Sequence, residues 1–142
     1  VEAAAALAAL VGHNWPVFSG FKGGRGTASG WGGLLILSPV SGLVATLVGV
    51  PTIAIGRYVS LGSILATASG AITLIVLSST GNAPLEYVWF AAVGGTLVVA
   101  RHKDNITRLL RGQERRIGDS GASTDRQPRA ERRKGLRWPR SV

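Results

Sequence analysis

The 142-residue sequence predicts an all-α fold: a polytopic integral membrane protein of about five membrane helices or part-helices plus a short interfacial helix. Two observations lead there. Apolar runs fill the first hundred positions, only 16% of residues are charged and mean hydropathy is positive, which makes a poor surface for water. Lys and Arg fall into alternate breaks between the runs: Lys22 and Arg25 in the first, Arg57 in the third, and Arg101, Lys103, Arg108 and Arg111 after the last. The second and fourth breaks hold neither, the pattern that the positive-inside rule leaves when alternate loops and the C-terminus face the cytoplasm. Most charge lies beyond the membrane-like part, since ten of the 16 Lys and Arg follow Leu110 against four acids, an excess of six within the net +9. Two regions result, a membrane domain over 1–117 and a basic tail over 118–142 whose composition cannot bury a core and predicts disorder. With no cysteine, disulfides, thiolate chemistry and sulfur-based zinc sites are excluded.

In chain order, Val1 to Val11 is almost wholly Ala, Leu and Val, interrupted by Glu2, and lacks the basic start of a signal peptide. It reads as the end of a membrane helix that begins upstream. Gly12 to Thr27 then packs glycines, Lys22, Arg25, His13 and large aromatics into the first break. Glycines let backbone N–H groups converge, and Lys22 and Arg25 around Gly23, Gly24 and Gly26 add positive charge, a composition suited to phosphate. The spacing is not that of the G-x-x-x-x-G-K-[ST] nucleotide loop. Ala28 to Leu37 is too short to cross a core of roughly 30 Å, and Gly26, Gly30 and Gly33 recur at helical spacing where a neighbouring helix can come close. Ser38-Pro39 marks a turn, Gly42 to Gly56 the next apolar segment, with Pro51 inside it.

Arg57 to Ser63 interrupts the pattern with a cation, a tyrosine and two serines, either an interface marker or a second phosphate-facing loop. Leu61 to Leu77 is the clearest long span, Ser79 to Pro84 an uncharged turn, and Leu85 to Ala100 the last apolar run. From Arg101 to Glu114, Asp104 or Asn105 is expected to cap a short helix, with Ile106, Leu109 and Leu110 on one face and Gly112 at its end. His102 and Asn105 are expected at its water-facing entrance, where the plain alternative for His102, and equally for His13, is a side chain that is merely solvated or hydrogen-bonded.

Three stretches together resemble a known family. Gly12-His13-Asn14-Trp15-Pro16-Val17-Phe18 followed by Phe21-Lys22-Gly23-Gly24-Arg25-Gly26-Thr27-Ala28 is similar to the second signature of the bacterial acyl-phosphate:glycerol-3-phosphate acyltransferases (PlsY). Arg57 to Ser63 is similar to that family's segment between two later helices, and His102-Lys103-Asp104-Asn105-Ile106 with Arg108, Gly112 and Glu114 to its third signature. The resemblance covers Val1 to about Glu114 and implies a membrane enzyme moving a fatty acyl group from acyl-phosphate to the sn-1 hydroxyl of glycerol 3-phosphate, without a cofactor or metal. It implies phosphate binding by Lys22, Gly23, Gly24, Arg25, Gly26, Arg57, Ser60 and Ser63, catalysis by His102 and Asn105, and a bracing role for Glu114 beside an arginine. His102 would donate a hydrogen bond or accept a proton near the attacking hydroxyl, and Asn105 would hold phosphate.

Two departures stand out. Arg25 and Thr27 replace the usual lysine and valine, and arginine keeps the charge. The family's first signature, a Ser-Gly-Asn-x-Gly-Ala-Thr-Asn loop, has no counterpart here, so the chain alone is expected to show little or no turnover. The rival class is a transporter or other non-catalytic membrane protein that binds phosphate compounds; a third reading is a pseudo-enzyme assembling with membrane partners. In the tail, Arg132-Arg133-Lys134 suits anionic lipid headgroups, while one aromatic, Trp138, and no recognisable module speak against nucleic acid.

Overall fold

The computed structural model describes residues 1–17, 20 and 23–118, and every described element is helical. Lys22 and the tail beyond Gly118, with its headgroup-binding expectation, lie outside the described residues. Helix α1 (Glu2–Asn14) runs three residues further than its apolar stretch, so Gly12, His13 and Asn14 are helical and the glycine-rich connection begins at Trp15. Helix α2 (Thr27–Leu37) ends at Ser38, which is also the N-cap of α3 (Pro39–Gly56). No loop separates the two: Ser38 Oγ accepts from the Ser41 N–H at 3.3 Å, and Pro39, lacking an N–H, opens the new helix at no cost. Pro51 is accommodated inside α3.

The α2–α3 hairpin zips antiparallel, with Trp31 Nε1 donating to Thr46 Oγ1 at 2.8 Å. Arg57 and Tyr58 alone join α3 to α4 (Val59–Ser79), with Arg57 in the left-handed region at φ 60. Small residues form the α3–α4 seam. A Cβ on Gly49 would lie 2.7 Å from that of Ala66, and one on Gly62 would collide with Ile53 and stand 2.9 Å from the Gly49 carbonyl. Without a water-driven force between helices in lipid, such close approach is what makes their dispersion contact large.

The last apolar run is one helix from Tyr87 to Arg101 in three parts: α5 (Tyr87–Trp89), a π turn over Phe90–Gly94, and α6 (Gly95–Arg101). It packs parallel to α1, where the Tyr87 hydroxyl donates to Glu2 and Leu10 meets Gly94. The predicted glycine stripe is used as expected. Gly33 faces the Phe90 ring, Gly30 faces Val98 and Leu10, and Gly26 faces Leu10 and Asn14. The core joins Ala3, Leu34, Leu37, Ala45, Leu74, Tyr87, Phe90 and Ala91.

At about 1.5 Å per residue, α3 and α4 are roughly 27 and 32 Å long, enough to cross a bilayer, while α2 and Tyr87–Arg101 are shorter apolar helices. Only 22% and 28% of the apolar windows of α3 and α4 are buried, and their outer faces present Leu43, Leu47, Val50, Ile55, Ile72 and Val76. An apolar exterior of this extent fits lipid rather than water.

The final helix, α7 (Lys103–Leu110), is amphipathic, with Gly112 at φ 66 just past its end. Neither Asp104 nor Asn105 caps it: His102 occupies the N-cap position and no side chain accepts there. The expected water-facing entrance is also corrected. His102 and Asn105 are buried, 1% and 2% exposed, because the Val98 carbonyl takes the imidazole and the chain beyond Gly112 returns to take the amide.

Candidate functional site

All the basic connections meet at one end of the bundle. The C-terminal ends of α1, α3 and α6 and the N-terminal ends of α2, α4 and α7 come together there, linked by side chains of Arg57, Ser60 and Arg101 that reach across elements. The glycine-rich connection is held from behind by Arg101. Its guanidinium donates to the Gly24 carbonyl at 3.0 Å and, at longer range, to the carbonyls of Gly23 and Asn14, and it lies 5.4 Å from the centre of the Trp15 ring. With carbonyls drawn towards Arg101, the connection closes on α1 so tightly that a Cβ at Gly23 would strike the His13 carbonyl and one at Gly24 would come within 2.5 Å of His13 Nε2. Gly26, at φ 76, starts α2 against the Asn14 side chain. Asn14 is fully buried, and among the described residues its amide has no hydrogen-bond partner.

Beside this connection lies a polar pocket of about 470 Å³ lined by Arg25, Ser60 and Asn105 together with Arg108, Glu114 and residues 115–117. Glu114 is its hub. Ser60 Oγ donates to Oε1 at 2.8 Å, Asn105 Nδ2 to the same oxygen at 2.6 Å, and Arg108 Nε to Oε2 at 2.8 Å. Burial pushes the Glu114 carboxyl up, but the hydrogen bonds from Ser60, Asn105 and Arg108, with the Arg108 charge, outweigh it and hold the group below its ordinary value. The expected bracing by an arginine is therefore present, and it extends to two of the predicted site residues.

A second cavity, of about 270 Å³, is an apolar groove between α2, α3, α4 and the last helix. The two linings share no residue but come near each other along the chain, Ser63 lying one turn beyond Ser60 on α4 and Thr27 two residues beyond Arg25. Glycines 30, 49, 62, 94 and 95 line it, and the π turn sets Phe90 and Ala91 into its wall.

The predicted residues thus separate into groups. Arg25, Ser60 and Asn105 share the polar pocket. Ser63 lines the apolar groove instead. Arg57 lines neither: its guanidinium donates to the Ile117 carbonyl, and its own carbonyl accepts from the Ile117 N–H at 2.8 Å. His102 is buried one turn from Asn105, outside the pocket lining, with Nδ1–H donating to the Val98 carbonyl at 2.8 Å. Arg101 and Asn14 were missed as site residues. Arg101 looked like one more basic residue at an interface, and only its position beside His102 within the third signature hinted at more.

Residues 1–112 match the family model for glycerol-3-phosphate acyltransferase. The chain is 39% identical over 122 residues to the glycerol-3-phosphate acyltransferase of Halalkalibacterium halodurans, covering 86% of this chain and 59% of that one. It is 47% identical over 118 residues to that of Neisseria meningitidis serogroup B, covering 83% and 57%. Among solved structures it is similar to PlsY (YgiH), an integral membrane glycerol 3-phosphate acyltransferase, in its glycerol 3-phosphate form, with a TM-score of 0.72 and 43% identity over 79% of this chain and 54% of that one. The lysophosphatidic acid form of the same protein gives a TM-score of 0.71. The chain spans a little over half the length of these relatives.

Proposed function

The chain belongs to the glycerol-3-phosphate acyltransferase family of integral membrane proteins, and from that premise we propose that it carries the phosphate-binding face of an acyl-phosphate-dependent acyltransferase. The hydroxyl oxygen at sn-1 of glycerol 3-phosphate attacks the acyl carbonyl carbon of acyl-phosphate. A new C–O ester bond forms, the bond from that carbon to the phosphate oxygen breaks, and phosphate leaves with the electron pair. The products are 1-acylglycerol 3-phosphate and inorganic phosphate. The hydroxyl proton passes to a phosphate oxygen, a base that both substrates bring with them.

The observation that carries this reading is an arginine-lined polar pocket whose lining lies one helical turn along α4 from that of an apolar groove, a head-and-tail arrangement suited to an acyl phosphate. Arg25, Ser60 and Asn105 would hold phosphate, with Lys22 and the Gly23, Gly24 and Gly26 backbone as the second wall, and guanidinium forks would stabilise charge as the carbonyl oxygen becomes anionic. His102 and Ser63 would position α6–α7 and α4 rather than touch the reacting atoms. The basic face and C-terminus would lie in the cytoplasm and the apolar faces in the cell membrane, following the positive-inside rule. Against a transporter, α2, α3 and α4 carry no ionisable side chain, whereas a midplane site would require one.

The test is incorporation of radiolabelled glycerol 3-phosphate into lipid by membranes carrying the chain, alone and with the N-terminal part of the Neisseria relative co-expressed. Transfer is expected from acyl-phosphate in the second arm, lost in Asn105→Ala, and absent with acyl-CoA as donor. No transfer in either arm would remove the reading.

A further inference from the structure

Resting on the reading of this face as a phosphate site, we propose that the segment after α7 is a strap across the pocket that supplies Arg115 as a second guanidinium for the substrate phosphates. The pocket wall continues past α7, where Glu114, Arg115, Arg116 and Ile117 form part of it. The strap is fastened along its length. Glu114 is held by Ser60, Asn105 and Arg108. Arg116 Nε donates to the Tyr58 hydroxyl at 2.8 Å, its guanidinium 5.1 Å from the ring centre. Ile117 exchanges hydrogen bonds with both the carbonyl and the guanidinium of Arg57.

The fastening leaves an imbalance of charge. Of the four arginines lining the pocket, Arg108 is paired with Glu114 and Arg116 is held by Tyr58. Arg25, from the glycine-rich connection, and Arg115, from the strap, have no hydrogen-bond or ion-pair partner among the described residues. Two unpaired guanidinium groups around one cavity repel each other, and an anion between them removes that cost. The reaction brings two phosphates together, donor and acceptor, and each can engage a planar fork of N–H donors. One unpaired arginine serves one phosphate. Two serve the pair, and Arg57 then acts on the site through the strap it fastens.

The experiment is calorimetric titration of the full chain in detergent with glycerol 3-phosphate, with inorganic phosphate, and with glycerol as the uncharged comparison. Arg115 is exposed, so Arg115→Ala should leave the helix content seen by circular dichroism unchanged. It is expected to weaken both phosphate ligands roughly ten- to a hundredfold, with partial recovery in Arg115→Lys and a change within about twofold in Arg111→Ala, an exposed cation outside the pocket. Ile117→Pro, which removes the N–H bonded to Arg57, is expected to weaken binding in the same direction. Wild-type binding with Arg115→Ala no weaker than Arg111→Ala overturns the strap and leaves the phosphate site standing. If the wild-type chain binds neither phosphate ligand at millimolar concentration, the strap and the site reading fall together.

Discussion

Replacing Glu114 with glutamine tests whether one carboxylate holds α4, α7 and the segment after α7 together. Three hydrogen bonds converge on it, from Ser60, Asn105 and Arg108, and its side chain is 8% exposed while that of Arg108 is 41% exposed. A hydrogen bond to a charged group contributes about 1.5–3 kcal/mol. The half-exposed Arg108 pair is screened and belongs at the low end, about 1 kcal/mol. A glutamine carbonyl still accepts from Ser60 and Asn105 at neutral strength, but its amide turns a donor towards Arg108. The net loss is then about 2–3 kcal/mol, which for a domain of this size lowers the unfolding midpoint by roughly 10 °C.

The pH dependence has a definite sign. Because the folded-state pKa of Glu114 lies below its ordinary value of 4.5, the unfolded chain takes up the proton first as pH falls. The stabilisation is complete above that ordinary value and is lost as pH drops through the depressed one. Thermal unfolding in detergent, followed by tryptophan fluorescence, should show a wild-type to Glu114→Gln gap that is constant at neutral pH and closes below about pH 4.5. Equal midpoints at pH 7, or a gap that persists undiminished at pH 3, would refute the reasoning.

Three further outcomes follow from the packing. Arg101→Ala removes the clamp on the Gly23, Gly24 and Asn14 carbonyls and a ring contact of about 0.5–1 kcal/mol, so glycerol 3-phosphate affinity should fall about tenfold by calorimetry; Arg101→Lys, lacking the fork, should recover little. Gly26→Ala forces a left-handed alanine and places its Cβ 2.7 Å from Asn14 Oδ1 and Leu10 Cδ1, together about 2–4 kcal/mol of destabilisation read as a lower unfolding midpoint. Gly62→Ala pushes against Ile53 and the Gly49 carbonyl, and a cost of about 1–3 kcal/mol should appear as easier proteolysis at the α3–α4 turn; unchanged resistance would argue against the close seam.

Much of the fold was legible because membranes simplify the code. Runs of apolar residues mark helices wherever backbone groups must be satisfied internally, and the alternation of Arg25, Arg57 and Arg101 already grouped their connections at one end. Boundaries failed where local signals were weak. His13 and Asn14 continue α1 because nothing before Trp15 breaks it, and Ser38-Pro39 joins two helices with no loop because a serine cap followed by proline stops one helix and starts the next. The π turn at Phe90–Gly94 has no local signature, since it answers to packing against α1 and α4.

The site divides in the same way. Composition alone determined that this is a helical membrane protein with its charge gathered at one end, and the motifs named the residues worth watching there. Which of them share a cavity was decided only by tertiary structure. Arg25, Ser60 and Asn105 converge, Ser63 turns one helical step into the apolar groove, and Arg57 and Arg101 spend their donors on backbone carbonyls. Spacing along a chain sets which face of a helix a side chain leaves from. Whether its partner is a substrate, a carbonyl or Glu114 depends on residues dozens of positions away, and those distances exist only once the helices have packed.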